Sequence, residues 1–354
     1  MGLYSINKIK LGIENYRQYW LGTPGIGKST AFRDMVMEEY GDPEFGLLIS
    51  AGNETGYKSL DNLNFVECED WFKFTEVIDD LVDNKADNKI KVVAIDTVDE
   101  LVYIAEQYAL YTHKIRNNGA AATSIKSALG GYAAGAKFAR EQIVKQISRL
   151  ERAGYSVNYI GHTKYRDLTD GETEQTYQML TTNMELPYHA IFANRCDVMV
   201  MMYVKREIKD GKLGGEKRYM RFRGNNTIEC KSRIANLPEE IGFDIKEYLE
   251  TLKSALETMA GVSGKQADKQ RAAERIEVEE KAKKFVQAEK TEEFGDEQMS
   301  VADYRDMMLK VVKSLDAEGK AQKKSELKKA GLSVDFATQE DMEILKATYK
   351  ILTS

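Results

Sequence analysis

One stretch restricts what this chain can fold into more than any other: Gly22-Thr23-Pro24-Gly25-Ile26-Gly27-Lys28-Ser29-Thr30. It fits GxxxxGK[ST] in full. Glycines at these spacings let the backbone wrap an anion with its N–H groups turned inward, and a helix starting just after the loop adds its positive N-terminus. Such a loop needs a strand to deliver it and a helix to leave it. Residues 16–21 have strand character. Phe32, Met35, Val36 and Tyr40 then share one helical face, and Gly41-Asp42-Pro43 ends the helix. Lys28 is placed to reach the β- and γ-phosphates of a nucleoside triphosphate, and the Ser29 hydroxyl to ligate Mg2+. Residues 22–30 are therefore the candidate ATP-binding set.

The partner acid belongs at the end of a buried strand. Residues 90–98, Ile-Lys-Val-Val-Ala-Ile-Asp-Thr-Val, form a continuous apolar run, as in a parallel sheet, and Asp96 closes it. Ligands of open α/β sheets bind at such strand ends, so Asp96 is a candidate Mg2+ ligand, a role compatible with capping the next helix. Glu54 and Glu100 are candidate general bases, with Glu54 preferred; each also reads as a surface acid. His162 ends the strand at 155–162, where it either senses a γ-phosphate or caps the strand. The catalytic candidates are Lys28, Glu54, Asp96 and His162.

Buried strands at 46–52, 64–70, 90–98, 155–162 and 197–204 alternate with helices at 71–83, 99–112 and from Ala136. They indicate an α/β fold with a mostly parallel sheet. Residues 113–135 read as a mobile loop, and 163–193 as a polar loop segment. Residues 217–224 form a strand after a turn. Three domains are expected: a P-loop ATPase core over 1–250, a charged helical linker over 251–298 and a small all-helical domain over 299–354. The linker reads as solvated because it has few large apolar residues. A capping box at Ser300–Asp303, a Met299–Tyr304 staple and a helix beginning at Thr338 mark the last unit.

Together, "GTPGIGKST", "VVAIDTVDEL", "NYIGHTK", "NRCDVMVMM" and "ECKSRIANLPEEIGFDI" resemble the RecA-like recombination ATPases. More closely, they are similar to phage-encoded AAA-type nucleotide-binding proteins, a RecA/RadA-like group linked to single-strand annealing. The likeness spans about residues 10–250. It implies a RecA-like sheet, ATP hydrolysis at subunit interfaces of a ring or filament, two loops that contact single-stranded DNA, and the cytoplasm of a bacterial host. Asp96 with Thr97 matches the Asp-Ser/Thr strand end of that group. His162 takes the place of a γ-phosphate-sensing glutamine, and Lys231 and Arg233 stand where lysines reach a neighbour's ATP. One departure is Ser50-Ala51-Gly52-Asn53-Glu54, where the group carries its catalytic glutamate in an Asp-Ala-Glu setting.

Charge decides where DNA can touch. The net charge is −6, so the chain is no general polyanion binder. Residues 113–140 nevertheless hold Lys114, Arg116, Lys126, Lys137 and Arg140 and no acid, with Tyr132 available to stack on a base. Lys114, Arg116, Lys126, Tyr132 and Lys137 are the candidate DNA contacts. Residues 205–233 carry ten bases against four acids, a second positive surface, whereas 163–193 is acidic. Cys68, Cys196 and Cys230 lack metal or disulfide spacing. No apolar run is long enough for a membrane span.

The leading function is an ATP-dependent single-strand-binding recombination protein that anneals or exchanges strands as a homo-oligomer, with a single-strand-binding or replication protein as a possible partner. A helicase-loading or remodelling ATPase, a P-loop kinase and a non-enzymatic DNA module that uses ATP as a clamp remain open. The kinase reading needs an arginine lid, and the 113–135 loop has one arginine.

Overall fold

The strand that enters the glycine loop, β1 (Gln18–Gly22), is wholly buried and lies between two parallel neighbours, β5 (Ser156–Thr169) and β7 (Val198–Lys209). The computed structural model describes residues 8–209, 212–291, 317–333 and 342–353, with a few isolated positions between 305 and 315. Beyond β5 come β4 (Val92–Asp96), β2 (Gly46–Ala51) and β3 (Phe65–Cys68), all parallel. Beyond β7 the sheet turns antiparallel through β8 (Lys212–Arg221) and β10 (Glu240–Gly242). The mostly parallel α/β sheet expected from the apolar runs is thus present, and one strand separates the loop strand from the acid strand.

Alternation sends successive side chains to opposite faces. Tyr19, Leu21, Val93 and Ile95 join one core, under α2 (Trp71–Asp83), α3 (Val98–Arg116), α4 (Ala134–Arg152) and α5 (Leu186–Arg195). Trp20, Val92, Ala94 and Val200 join the other, under α1 (Lys28–Tyr40) and α6 (Ile245–Ala260). Within the second core the Tyr248 hydroxyl accepts Trp20 Nε1 at 3.2 Å and donates to Gln18 Oε1 at 2.6 Å. The three cysteines are free. Burial pushes the Cys68 thiol up to about 12 and the Cys196 thiol up to about 11, so both act as packed apolar groups.

Three segments differ from their sequence reading. First, 163–193 is not a loop. β5 runs on past His162 to Thr169 and pairs with β6 (Thr176–Thr182) as a projecting antiparallel arm, and α5 follows. Both faces of the outer arm meet solvent, so no apolar alternation marked it; the Thr and Tyr content was the available signal.

Second, 113–135 is folded. α3 extends to Arg116, and the Leu129 N–H donates to His113 Nδ1 at 2.9 Å, pinning a 3-10 turn at Ala128–Gly130 to the end of that helix.

Third, the charged stretch after α6 is a 28-residue helix, α7 (Gly264–Thr291), whose charges are spent on the body. Glu274, 5% exposed, accepts the N–H groups of Leu11 and Gly12, and Arg275 bridges Glu14 and Glu39. Lys91 reaches Glu279. A helix poor in apolar side chains can dock through charge-assisted hydrogen bonds, which hydropathy does not register.

Two further helices are described, α8 (Ala317–Lys329) and α9 (Met342–Thr353), with Met308, Leu327, Leu345 and Leu352 buried together. The expected capping box, its staple and the helix start at Thr338 lie outside the described residues. Among the described residues no helix is long and apolar enough to cross a membrane.

Candidate functional site

Parallel register lines up the strand ends that carry the candidates. Gly22 lies opposite His162, Asp96 opposite Ile160 and Ser50 opposite Asp96. Gly22, His162, Asp96 and the Ser50–Glu54 turn therefore share one edge of the sheet, as ligand-binding edges of α/β sheets do.

The loop over 22–30 is held in a left-handed path at Gly25 (φ 77°) and Gly27 (φ 109°), values that exclude a side chain without strain. α1 begins at Lys28 with Gly27 as its N-cap and has no side-chain cap, whereas Asp70, Thr97 and Asp244 cap α2, α3 and α6. The first N–H groups of α1 are thus left to another acceptor, the condition under which a helix N-terminus takes an anion. Thr97, not Asp96, caps α3, which leaves Asp96 for the site.

Lys28 is 6% exposed. Its ammonium donates to Gly22 O at 2.9 Å and Thr23 O at 3.1 Å, and its third donor remains for a phosphate oxygen. Burial lowers its pKa, opposed by the fields of Asp96, Glu54 and Asp99. The Ser29 hydroxyl donates to Asp96 Oδ2 at 2.5 Å. Asp96 is 2% exposed, and burial, the largest cause, raises its carboxyl to about 6.

A hydroxyl and a carboxylate side by side at the mouth of a phosphate cradle are the oxygen donors that suit Mg2+. That ion keeps waters and phosphate oxygens as its remaining ligands. The fit does not need a protein cage: among the described residues no group of three or more His, Cys, Asp or Glu gathers as one.

Glu54 faces the same cleft. Its Oε1 accepts the N–H groups of Thr55 and Gly56, both at 3.0 Å, and a Cβ on Gly56 would lie 3.2 Å from that oxygen and 3.8 Å from Ser29 Oγ. Glu100 instead braces the β2 turn: its carboxylate accepts Asn53 N at 3.3 Å and packs against Gly52. The His162 N–H donates to Asp99 Oδ2 at 2.8 Å, and Asn183 N donates to His162 O at 2.9 Å. His162 thereby joins the site to the root of the arm. Burial first, then Lys28, lowers the imidazole pKa; burial raises the Asp99 carboxyl.

Asp99 is a residue the sequence reading missed, although Asp96-x-x-Asp99 at a helix start is a visible signal. Arg218 was also missed as a site residue. It lies far off in sequence, yet its Nη1 donates to Ile26 O at 3.0 Å.

Lys231 and Arg233 are not brought to this loop. They sit in and beside β9 (Lys231–Ser232), opposite Val198 and Met199, whereas Gly22 is level with Met202. That puts them about 10 Å further back along the strands. Lys231 Nζ donates to Ala193 O at 2.5 Å; Arg233 bonds Asp197 Oδ1 at 3.0 Å and Asn194 O at 2.8 Å.

The second positive surface is partly neutralised: Lys205 pairs with Glu240, Arg206 with Glu216, and Arg221 with Glu239 and Glu240. Lys114 and Arg116 are exposed in the last turn of α3, whose 19 residues span about 28 Å, and Lys126 and Tyr132 are exposed in the segment after it. Lys137 is exposed too, but shares its charge with Glu141 at 3.7 Å.

An uncapped helix behind a glycine loop, a buried lysine inside it and a hydroxyl–carboxylate pair at its mouth define a P-loop nucleotide site on an α/β sheet. An AAA domain family model matches residues 14–234, more than half of the chain, and the chain belongs to that family. It is an AAA-type P-loop ATPase, whose domain implies nucleotide and usually Mg2+ use. No curated protein matches the chain.

Proposed function

We propose that this ATPase binds single-stranded DNA and promotes annealing or strand exchange as a homo-oligomer, with ATP bound where subunits meet. The observation that carries this reading is the surface over 114–132. Leu129, Gly130, Gly131, Tyr132 and Ala133 are five consecutive residues with positive φ, three of them with side chains. Each non-glycine residue there costs about 1–2 kcal/mol. The strained backbone holds the Tyr132 ring fully exposed; next to it the Ala133 N–H donates to Lys126 O, and the Leu129 N–H to His113 Nδ1 on the helix end that carries the exposed Lys114 and Arg116. Exposed cations next to a protruding aromatic suit a phosphodiester backbone with stacked bases.

In this reading the N–H groups of 22–30 and Lys28 hold the β- and γ-phosphates, and Ser29 and Asp96 hold Mg2+. Mg2+ held by Ser29 and Asp96 would neutralise charge that develops on the triphosphate. Glu54 orients and deprotonates the attacking water. His162 reads the γ-phosphate, and its two backbone hydrogen bonds pass the reading to Asp99 and the arm root, an order switch of the kind nucleotide hydrolysis drives.

ATP turnover measured with and without an oligo-dT strand, beside particle shape by electron microscopy, tests the proposal. Stimulated turnover with rings or filaments supports it; a monomer indifferent to the strand refutes it. Replacing Lys114, Arg116 and Lys126 together by Ala should weaken strand binding and lower its log–log salt slope by about 2, three contacts at about 0.7 each. Equal affinity and slope remove this surface from the proposal.

A further inference from the structure

Arg218, from the antiparallel half of the sheet, bonds the phosphate loop. It stands on β8 opposite Val204 of β7. Its Nη1 donates to Ile26 O at 3.0 Å, and its guanidinium lies over the Phe243 ring, 4.5 Å from the centroid. Phe243 N in turn donates to Arg218 O at 3.0 Å, so the pair is fixed by backbone as well as by stacking. Both side chains press against Gly27: a Cβ there would lie 3.0 Å from Arg218 Nη1 and 3.2 Å from Phe243 Cζ.

The atom that Arg218 holds belongs to the same peptide unit as the Gly27 N–H. In a planar trans peptide the C=O and N–H point in opposite directions. A cation bound to the outward oxygen therefore fixes the N–H in the reverse sense, away from Arg218. It also polarises the unit and makes that N–H a stronger donor, since hydrogen bonds in series reinforce one another and charge-assisted ones are the strong kind.

We infer that Arg218 is a positioning residue for the triphosphate. Without touching the ligand, it turns and charges the Ile26–Gly27 peptide so that the Gly27 N–H binds a phosphate oxygen. Through it, the β7–β8 hairpin sets nucleotide affinity. The inference rests on residues 22–30 being the phosphate site and goes beyond that reading by naming what tunes it.

The test uses the full chain with Mg2+ and two probes, ATP and inorganic tripolyphosphate, with binding read by calorimetry and turnover by phosphate release. R218A should bind both probes about tenfold more weakly and raise KM about tenfold, with kcat within about twofold, because the peptide contact is made before and during reaction alike. R218K keeps a charged donor and should recover most of the affinity. R218Q keeps bulk and a neutral donor and should fall between, which separates the charge effect from a folding defect. Tripolyphosphate affinity unchanged in R218A overturns the inference, since Arg218 then serves the nucleoside or nothing; so does R218K as weak as R218A. If wild type fails to bind tripolyphosphate, or Lys28→Ala binds it as well as wild type, the phosphate-site reading itself falls. Loss in Lys28→Ala without loss in R218A leaves that reading standing and refutes only the role of Arg218.

Discussion

Lys28→Ala will lower ATP turnover by about a thousandfold, the scale of removing a preorganised donor from developing charge in a water-poor site. Lys28 stands among acids: Asp96, Glu54 and Asp99 all act on it electrostatically. Its ammonium is held by the carbonyls of Gly22 and Thr23, so it needs no search to meet a phosphate. Truncation leaves three carboxylates facing the place where a triphosphate carries its negative charge, and repulsion replaces attraction. Binding should therefore fail along with catalysis, visible by calorimetry as the loss of ATP heat at concentrations that saturate wild type. Lys28→Arg restores the charge but not the fit, because a planar fork is wider than the slot between two carbonyls. Wild-type turnover in Lys28→Ala would place the hydrolytic site elsewhere.

The cradle was legible because it is written locally. Residues 22–30 carry their own glycines, lysine and hydroxyl, and Asp96 announces itself at the end of a run of buried residues. Parallel register then brings the two together, a consequence of the α/β fold that the apolar runs already implied. What sequence hid was tertiary. Arg218 reaches Ile26 across 192 positions, and no local pattern distinguishes it from Lys217 or Arg221 beside it.

The charges of Lys231 and Arg233 are visible in the sequence, but their partners Ala193, Asn194 and Asp197 within the chain are not. The same blindness, reversed, made α7 look solvated when its Glu274 and Arg275 are anchors. Charge in a sequence is a quantity; whether it is spent is a matter of geometry. That distinction separates the loop at 114–132, where Lys114, Arg116 and Lys126 stay exposed, from the hairpin, where Lys205, Arg206 and Arg221 are matched by glutamates.

Asp96→Asn should separate function from stability in opposite directions. The wild-type carboxyl is raised from 3.8 to about 6, first by burial, with the Ser29 hydroxyl pulling the other way. A raised carboxyl means that the folded state holds its proton more tightly than the unfolded one. The folded state thus loses stability as pH rises from about 4 to about 6, and carries the full penalty above that window. Two pKa units correspond to about 3 kcal/mol. Asparagine avoids the penalty and can still accept from Ser29, but it deprives Lys28 of the acid that acts on it most strongly, so the net gain at pH 8 should be about 1–2 kcal/mol. Below pH 4 the two proteins should unfold alike. Denaturant titrations at pH 8 and pH 4 measure this difference, and a destabilised Asn variant at pH 8 would contradict it.

Activity moves the other way, because an amide oxygen is a poor substitute for an ionised ligand of Mg2+, and turnover should fall at least a hundredfold, on the order of one lost electrostatic contact. The same titration shapes the wild-type profile: kcat/KM, which reports the free enzyme, should decline below about pH 6 as Asp96 takes up its proton. In the proposed reading, a buried carboxylate that weakens the fold at neutral pH is the cost of presenting a charged oxygen beside Ser29 at the mouth of the phosphate loop.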